Sequence, residues 1–222
     1  MQDTNNISYT QEIFRKSIHL CSLSIPILYC FMSRDSALTI LIPLTIFTLS
    51  VDIARHFIEP IRSLIARYFG QMMRTHELDS KRLLLSGATY VLLSATFCVL
   101  IYPKVIAITA FAIMIVSDIC SALFGRRFGK HPFLDKSREG TFAFIVSAWC
   151  VVSVVAVTFH ASLDYIVLAG IGAVIGGIVE AASIRLRMDD NFSIPLSVGL
   201  TVWGGAILLP IDRYAVFVNM IP

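Results

Sequence analysis

The residues best suited to chemistry lie in one stretch, Ser117-Asp-Ile-Cys-Ser-Ala-Leu-Phe-Gly-Arg-Arg-Phe-Gly-Lys-His-Pro-Phe-Leu-Asp-Lys-Ser-Arg-Glu-Gly140. Asp118 falls inside an apolar run. A carboxylate there is costly unless it is ion-paired, bound to a metal or facing a wet cavity. Gly125 and Gly129 flank Arg126 and Arg127, with Lys130 following. Glycines let backbone come close to a ligand, and exposed amides can cradle phosphate. Lys136-Ser137-Arg138-Glu139-Gly140 leads into the next apolar run, where a helix N-terminus would favour an anion. The plainer readings are a salt bridge for Asp118 and ordinary membrane topology for the basic residues.

Three further groups accompany this stretch. Glu12, Lys16 and His19 are spaced i, i+4, i+7 and share a helical face, with Arg15 beside it. Arg74 and Glu77 precede Ser86-Gly-Ala-Thr-Tyr90. Glu180 is followed by Asp189-Asp190-Asn191 and Ile194-Pro195. Acidic and amide oxygens suit a hard cation such as Mg²⁺, although Asp-Asp-Asn is also a common loop sequence. No P-loop, His-Glu-x-x-His or Gly-x-Ser-x-Gly pattern occurs.

The elements that must carry these residues are membrane helices. The 222 residues are 56% hydrophobic and only 15% charged, with a mean hydropathy of +0.77; a soluble domain carries about 25% charged residues. The net charge of +3 is too small to argue for a nucleic-acid partner. The five cysteines lie in or near apolar runs and form no Cys-x-x-Cys pair, so they read as packing residues. The polar start carrying Arg15 and Lys16 predicts a retained first span and no cleaved signal peptide.

Seven apolar runs are legible, roughly Ile18–Met32, Ser36–Val51, Leu83–Tyr102, Val105–Phe124, Thr141–Phe159, Leu163–Ile184 and Phe192–Leu209. The first two are short enough for a tight hairpin. With the N-terminus inside, every Lys and Arg except Arg34, Lys104 and Arg213 falls on the cytoplasmic side, a strong positive-inside pattern. Between Asp52 and Arg82, apolar residues at helical spacing alternate with Arg55, Arg62 and Arg67, predicting an amphipathic interfacial helix. The expectation is a single all-α polytopic domain over 1–222, with about seven transmembrane helices and its polar site at the cytoplasmic face.

Asp118-x-x-x-Ala122-x-x-Gly125-x-x-Phe128-Gly129-Lys130, followed by Lys136-Ser137-x-Glu139-Gly140, resembles the signature of the CTP-dependent lipid kinases: dolichol, phytol and farnesol kinases and the yeast-type diacylglycerol kinase. Glu12-x-x-Arg15-Lys16-x-x-His19, Met73-Arg74-x-x-Glu77 with Gly87-Ala-Thr-Tyr90, and Asp190-Asn191-x-x-Ile194-Pro195 resemble the flanking motifs in the same order. Ser117 and Ser22 stand where that family often has glycine. The resemblance implies transfer of the γ-phosphate of CTP to a membrane lipid alcohol, with Mg²⁺; the small size of the chain favours a bacterial inner membrane as the setting. It implies roles for Asp118, Lys136 and Glu139 in catalysis; for Asp118, Glu139 and Asp190 at the metal; and for Gly125, Arg127, Gly129, Lys130, Ser137, Arg138, Gly140 and Asn191 at the nucleotide. Glu12, Arg15, Lys16, His19, Arg74, Glu77 and Glu180 would touch phosphate or lipid. Asp118 could equally accept the hydroxyl proton.

A CTP:phosphatidate cytidylyltransferase shares part of the central pattern, but its Pro-Gly-His-Gly-Gly run is missing here. A transporter would carry polar residues near the middle of its spans, whereas these collect at the inner ends. A homo-oligomer is compatible with the sequence.

Overall fold

The computed structural model describes residues 9–69 and 85–219. Four helices among them are long and apolar enough to cross a membrane: α3 (Arg34–Phe57), α6 (Lys104–Phe128), α7 (Arg138–Thr158) and α8 (Leu163–Ala181). Around them lie α1 (Tyr9–Cys21), α2 (Ser24–Cys30), α4 (Glu59–Phe69), α5 (Gly87–Ile101), α9 (Ser183–Leu186), α10 (Asp190–Ile207) and α11 (Ile211–Val218). Strands β1 (Pro132–Phe133) and β2 (Lys136–Ser137) form one small antiparallel hairpin between α6 and α7. The chain reads as an all-α membrane protein.

The count of seven spans is corrected, and each difference has a local cause. The first run divides into α1 and α2 because the Pro26 ring conflicts with a helical carbonyl four residues back, at Ser22. Seven residues of α2 rise only about 10 Å, far short of the roughly 30 Å hydrocarbon core. The second run extends to Phe57, because Asp52 and Arg55 pair at i, i+3 and let the helix continue through its charges. Helix α5 is a shorter apolar helix of 15 residues, and α10 opens on the polar pair Asp190-Asn191. The amphipathic helix expected in that stretch is present as α4, with Arg62 paired to Glu59; the remainder of the stretch, with Arg74 and Glu77, lies outside the described residues.

Helix α6 is the centre of the bundle. From Val105 to Ile115 every side chain is buried, including Phe111 and Met114, as expected of a helix apolar all round. It packs chiefly on α7 and α10, and also contacts α1, α2 and α5. The α6–α7 approach is close because no side chain intervenes at the crossing. A Cβ added to Gly140 would lie 3.1 Å from the Ser121 carbonyl oxygen and 3.2 Å from the Gly125 Cα.

The chain reverses between successive long helices. The ends of α3, α6 and α8 therefore meet the starts of α5, α7 and α10 at one end of the bundle. Side-chain caps hold these starts: Ser86 accepts from Thr89 N–H, Ser137 from Gly140 N–H, and Asp189 from Asn191 N–H.

Candidate active site

Asp118, one turn before Ser121 on α6, is only 3% exposed. Lys16 of α1 donates to its Oδ2. His19, on the next turn of the same α1 face, brings its Nε2 within 3.8 Å of that oxygen, too far for a hydrogen bond. The His19 Nε2 is buried without a hydrogen-bond partner. The i, i+3 spacing of Lys16 and His19 thus aims both at one carboxylate.

A second ionic group lies beside the first. Glu180, near the end of α8, is fully buried. Its Oε1 accepts from Ser121 Oγ at 2.9 Å and from Lys136 Nζ, while its Oε2 has no hydrogen-bond partner. Lys136 Nζ also lies 3.6 Å from Asp190 Oδ2 at the start of α10. Burial opposes charge on Lys136, yet Asp190, Glu180 and Asp118 outweigh it and hold its pKa above the ordinary lysine value.

The hairpin is what delivers Lys136. Phe133 pairs with Lys136 across it, and Leu134 turns the corner at φ 51°. Asp135 N–H donates to the Ala181 carbonyl at 3.0 Å. The Asp135 carboxylate accepts from Arg185 N–H at 2.9 Å and Nε at 2.8 Å, so the hairpin tip is tied to the end of α8 beside Glu180. Burial raises and the Arg185 hydrogen bonds lower the Asp135 pKa, with a net lowering.

Lys16, His19, Asp118 and Asp190 border a cavity of about 380 Å³, and Lys136 and Glu180 stand behind Asp190 outside its lining. Lys16, His19, Asp118, Asp190 and Asn191 form its polar side, and Phe47 and Val51 of α3 are on its apolar side. Phe47 is 65% exposed, so this wall reaches the outer surface of the bundle. Arg15 also lines the cavity.

The sequence reading missed Asp52. It is buried, and one oxygen accepts Ser86 N–H at 2.7 Å while the other meets Arg55 Nε at 3.0 Å. It lines the same cavity and fixes the start of α5. The available signal was an Asp-x-x-Arg pair closing an apolar run.

Other expected site residues lie elsewhere. The Gly125–Gly129 segment is the last turn of α6, and Gly129 N–H bonds the Gly125 carbonyl at 3.0 Å. The Gly129 amide is engaged in that helix bond, and Gly125, Gly129 and Gly140 pack closely around Ser137. Glu139 accepts from His131 N–H at 3.3 Å, and its Oε1 lies 2.7 Å from His131 Nδ1. Glu139 and Arg138 line a different groove, and Arg127 and Lys130 are exposed. The expected metal set of Asp118, Glu139 and Asp190 is therefore not assembled. Among the described residues no three His, Cys, Asp or Glu side chains form a metal-binding group. The Asp118 and Asp190 carboxylates do border one cavity, and their oxygen chemistry fits an ion that brings phosphate ligands with it. The side chain of Glu12 lies outside the described residues.

No protein-family model matches the chain, and no solved structure matches it. It is similar to the uncharacterized protein RP860 of Rickettsia prowazekii (strain Madrid E), with 33% identity over 189 residues, covering 84% of this chain and 91% of that protein. That identity over that share of both chains means that the chain belongs to the same family as the Rickettsia protein.

Proposed function

We propose that the protein is a lipid-alcohol kinase that transfers the γ-phosphate of CTP to a prenol, polyprenol or diacylglycerol hydroxyl at the cytoplasmic face of a bacterial inner membrane. The observation that carries this reading is the meeting of Lys16–Asp118 with Lys136–Glu180–Asp190 beside a cavity that is polar on one side and apolar on the other. A nucleoside triphosphate comes from water and a lipid alcohol from the bilayer. A site for both needs cations at the interface and an apolar wall leading to the membrane.

In this reading Lys16 and Lys136 exchange carboxylate partners for phosphate oxygens as the triphosphate enters, with Arg15 at the cavity wall adding positive charge. The N-termini of α5 and α10 border the same cavity and favour negative charge. Asp118 and Asp190 are the residues that would hold a Mg²⁺ arriving with the triphosphate; bound there, it would neutralise phosphate charge. A carboxylate holding Mg²⁺ would be a poor proton acceptor, which disfavours Asp118 as a base. His19 lines the cavity and its buried Nε2 has no hydrogen-bond partner, so it is the group suited to accept the hydroxyl proton. The lipid tail lies along Phe47 and Val51.

CTP labelled at the γ or at the α phosphate, offered with a panel of lipid alcohols and phosphatidate, tests the reaction. The γ label is expected in the lipid product. The α label in lipid with release of pyrophosphate would replace the kinase by a cytidylyltransferase, and no transfer to any acceptor would remove the enzyme reading. His19→Asn is expected to lower kcat by about 10²–10⁴-fold with KM for CTP little changed. A variant retaining full kcat would remove His19 from that role.

A further inference from the structure

A second groove, of about 760 Å³, lies on the α6–α7 pair and shares no lining residue with the cavity. Its wall is Phe124 and Phe128 of α6 with Phe142, Val146 and Cys150 of α7, and Arg138 stands at one end. Phe124 is 51% and Phe142 69% exposed. Both helices are long and apolar enough to cross the membrane, so the medium outside this wall is hydrocarbon.

The groove's length and charge select its occupant. At about 1.5 Å per residue, α7 carries it roughly 18 Å from Arg138 to Cys150. One leaflet contributes about half of a roughly 30 Å hydrocarbon core. The groove therefore spans about one leaflet, and its cationic end is the interfacial end. Arg127, exposed, holds its guanidinium 5.5 Å from the centroid of the Phe128 ring, adding a second positive charge there. Glu139 also lines this end, its carboxylate turned to His131, so Arg138 and Arg127 leave the end with an excess of positive charge.

We propose that this groove binds one anionic phospholipid, with a chain against Phe124, Phe142 and Val146 and its phosphate at Arg138 and Arg127. A second copy of the chain is a poorer occupant. A two-fold axis along the membrane normal sets each patch against its own copy at the same depth, bringing Arg138 and Arg127 toward identical cations.

Brominated lipids quench tryptophan on contact, so Phe142→Trp reports occupancy, with the native tryptophan signal subtracted using the parent protein. In vesicles of phosphatidylcholine at low salt, brominated phosphatidylglycerol is expected to quench the new tryptophan at mole fractions at least about fivefold lower than brominated phosphatidylcholine does. Arg127→Gln with Arg138→Gln should abolish that preference while leaving quenching by phosphatidylcholine intact. Raising the salt to screen the headgroup should reduce the preference in the protein with both arginines, a test that does not depend on the folding of the double variant. Equal quenching by the two lipids at low salt overturns the proposal. So does exclusion of both lipids with cross-linking of two copies through Cys150, which would assign the groove to a dimer.

Discussion

Asp118→Asn is expected to cost both activity and stability, and the two losses can be separated. Under the proposed reaction Asp118 would help to hold the Mg²⁺ that neutralises phosphate charge, and loss of one such preorganised group lowers kcat by about 10²–10³-fold. Asp118 and Lys16 are each about one-twentieth exposed, so the substitution leaves a buried ammonium without its counter-charge. Breaking a buried pair from one side typically costs about 3–5 kcal/mol, read as a lowered thermal midpoint in detergent. Replacing both partners, as Lys16→Met with Asp118→Leu, removes the two desolvated charges together and is expected to recover most of the stability. It should recover none of the transfer of γ label. Full activity in folded Asp118→Asn would take Asp118 out of the site, and an active double variant would do the same for the pair. An Asp118→Asn protein as stable as the parent would mean that the ion pair contributes nothing to the fold.

Glu180→Gln is the second large effect, and its signature is coupling to Lys136. Glutamine keeps an acceptor for Ser121 but removes the charge under Lys136. Asp190 remains 3.6 Å away, so the stability loss should fall toward the lower end of the range for a broken buried pair, about 3 kcal/mol. With its ammonium no longer held by Glu180, activity should fall by about 10²-fold or more. A double-mutant cycle with Lys136→Met isolates the interaction, and a coupling energy near zero would dismiss it.

The pH dependence follows from the raised Lys136 pKa. A group whose folded pKa exceeds its unfolded value contributes fully below the unfolded value and loses that contribution as pH rises through the folded one. The stability gap between the parent and Lys136→Met should therefore stay flat from neutral pH to roughly pH 9–10. It should close only above the ordinary lysine value of about 10.4. A gap that closes near pH 8 would contradict the ionic surroundings of Lys136.

Much of the helical framework is legible in the chain. Apolar runs mark α3, α6, α7 and α8, because hydrocarbon requires about 20 apolar residues with every backbone group bonded within the helix. Helix ends are less legible. The run predicted to stop at Val51 continues to Phe57, and the basic segment after Phe124 is a helical turn. Hydropathy reads charge as an ending, whereas an i, i+3 pair or an exposed last turn lets the helix carry charge onward. The division of the first run at Ser22 follows Pro26, a local signal that apolarity obscured.

Local sequence also determined that Lys136 and Asp190 would stand near helix starts, since each borders an apolar run, and that Asp118 would lie within one. It carried no information on which side chain each would meet. Asp118 takes Lys16 from more than a hundred residues upstream, and Glu180 takes Lys136 because the hairpin tip is tied to Arg185 and the Ala181 carbonyl. Glu139 sits three residues from Lys136, yet the first turn of α7 aims it at His131 and the outer groove. Asp52 joins the cavity because its carboxylate caps a helix that begins far along the chain. Hydrophobic patterning is a property of single helices and survives without tertiary contacts. Ion pairing among buried groups depends on the rotation and depth at which helices pack, and only the folded bundle determines those.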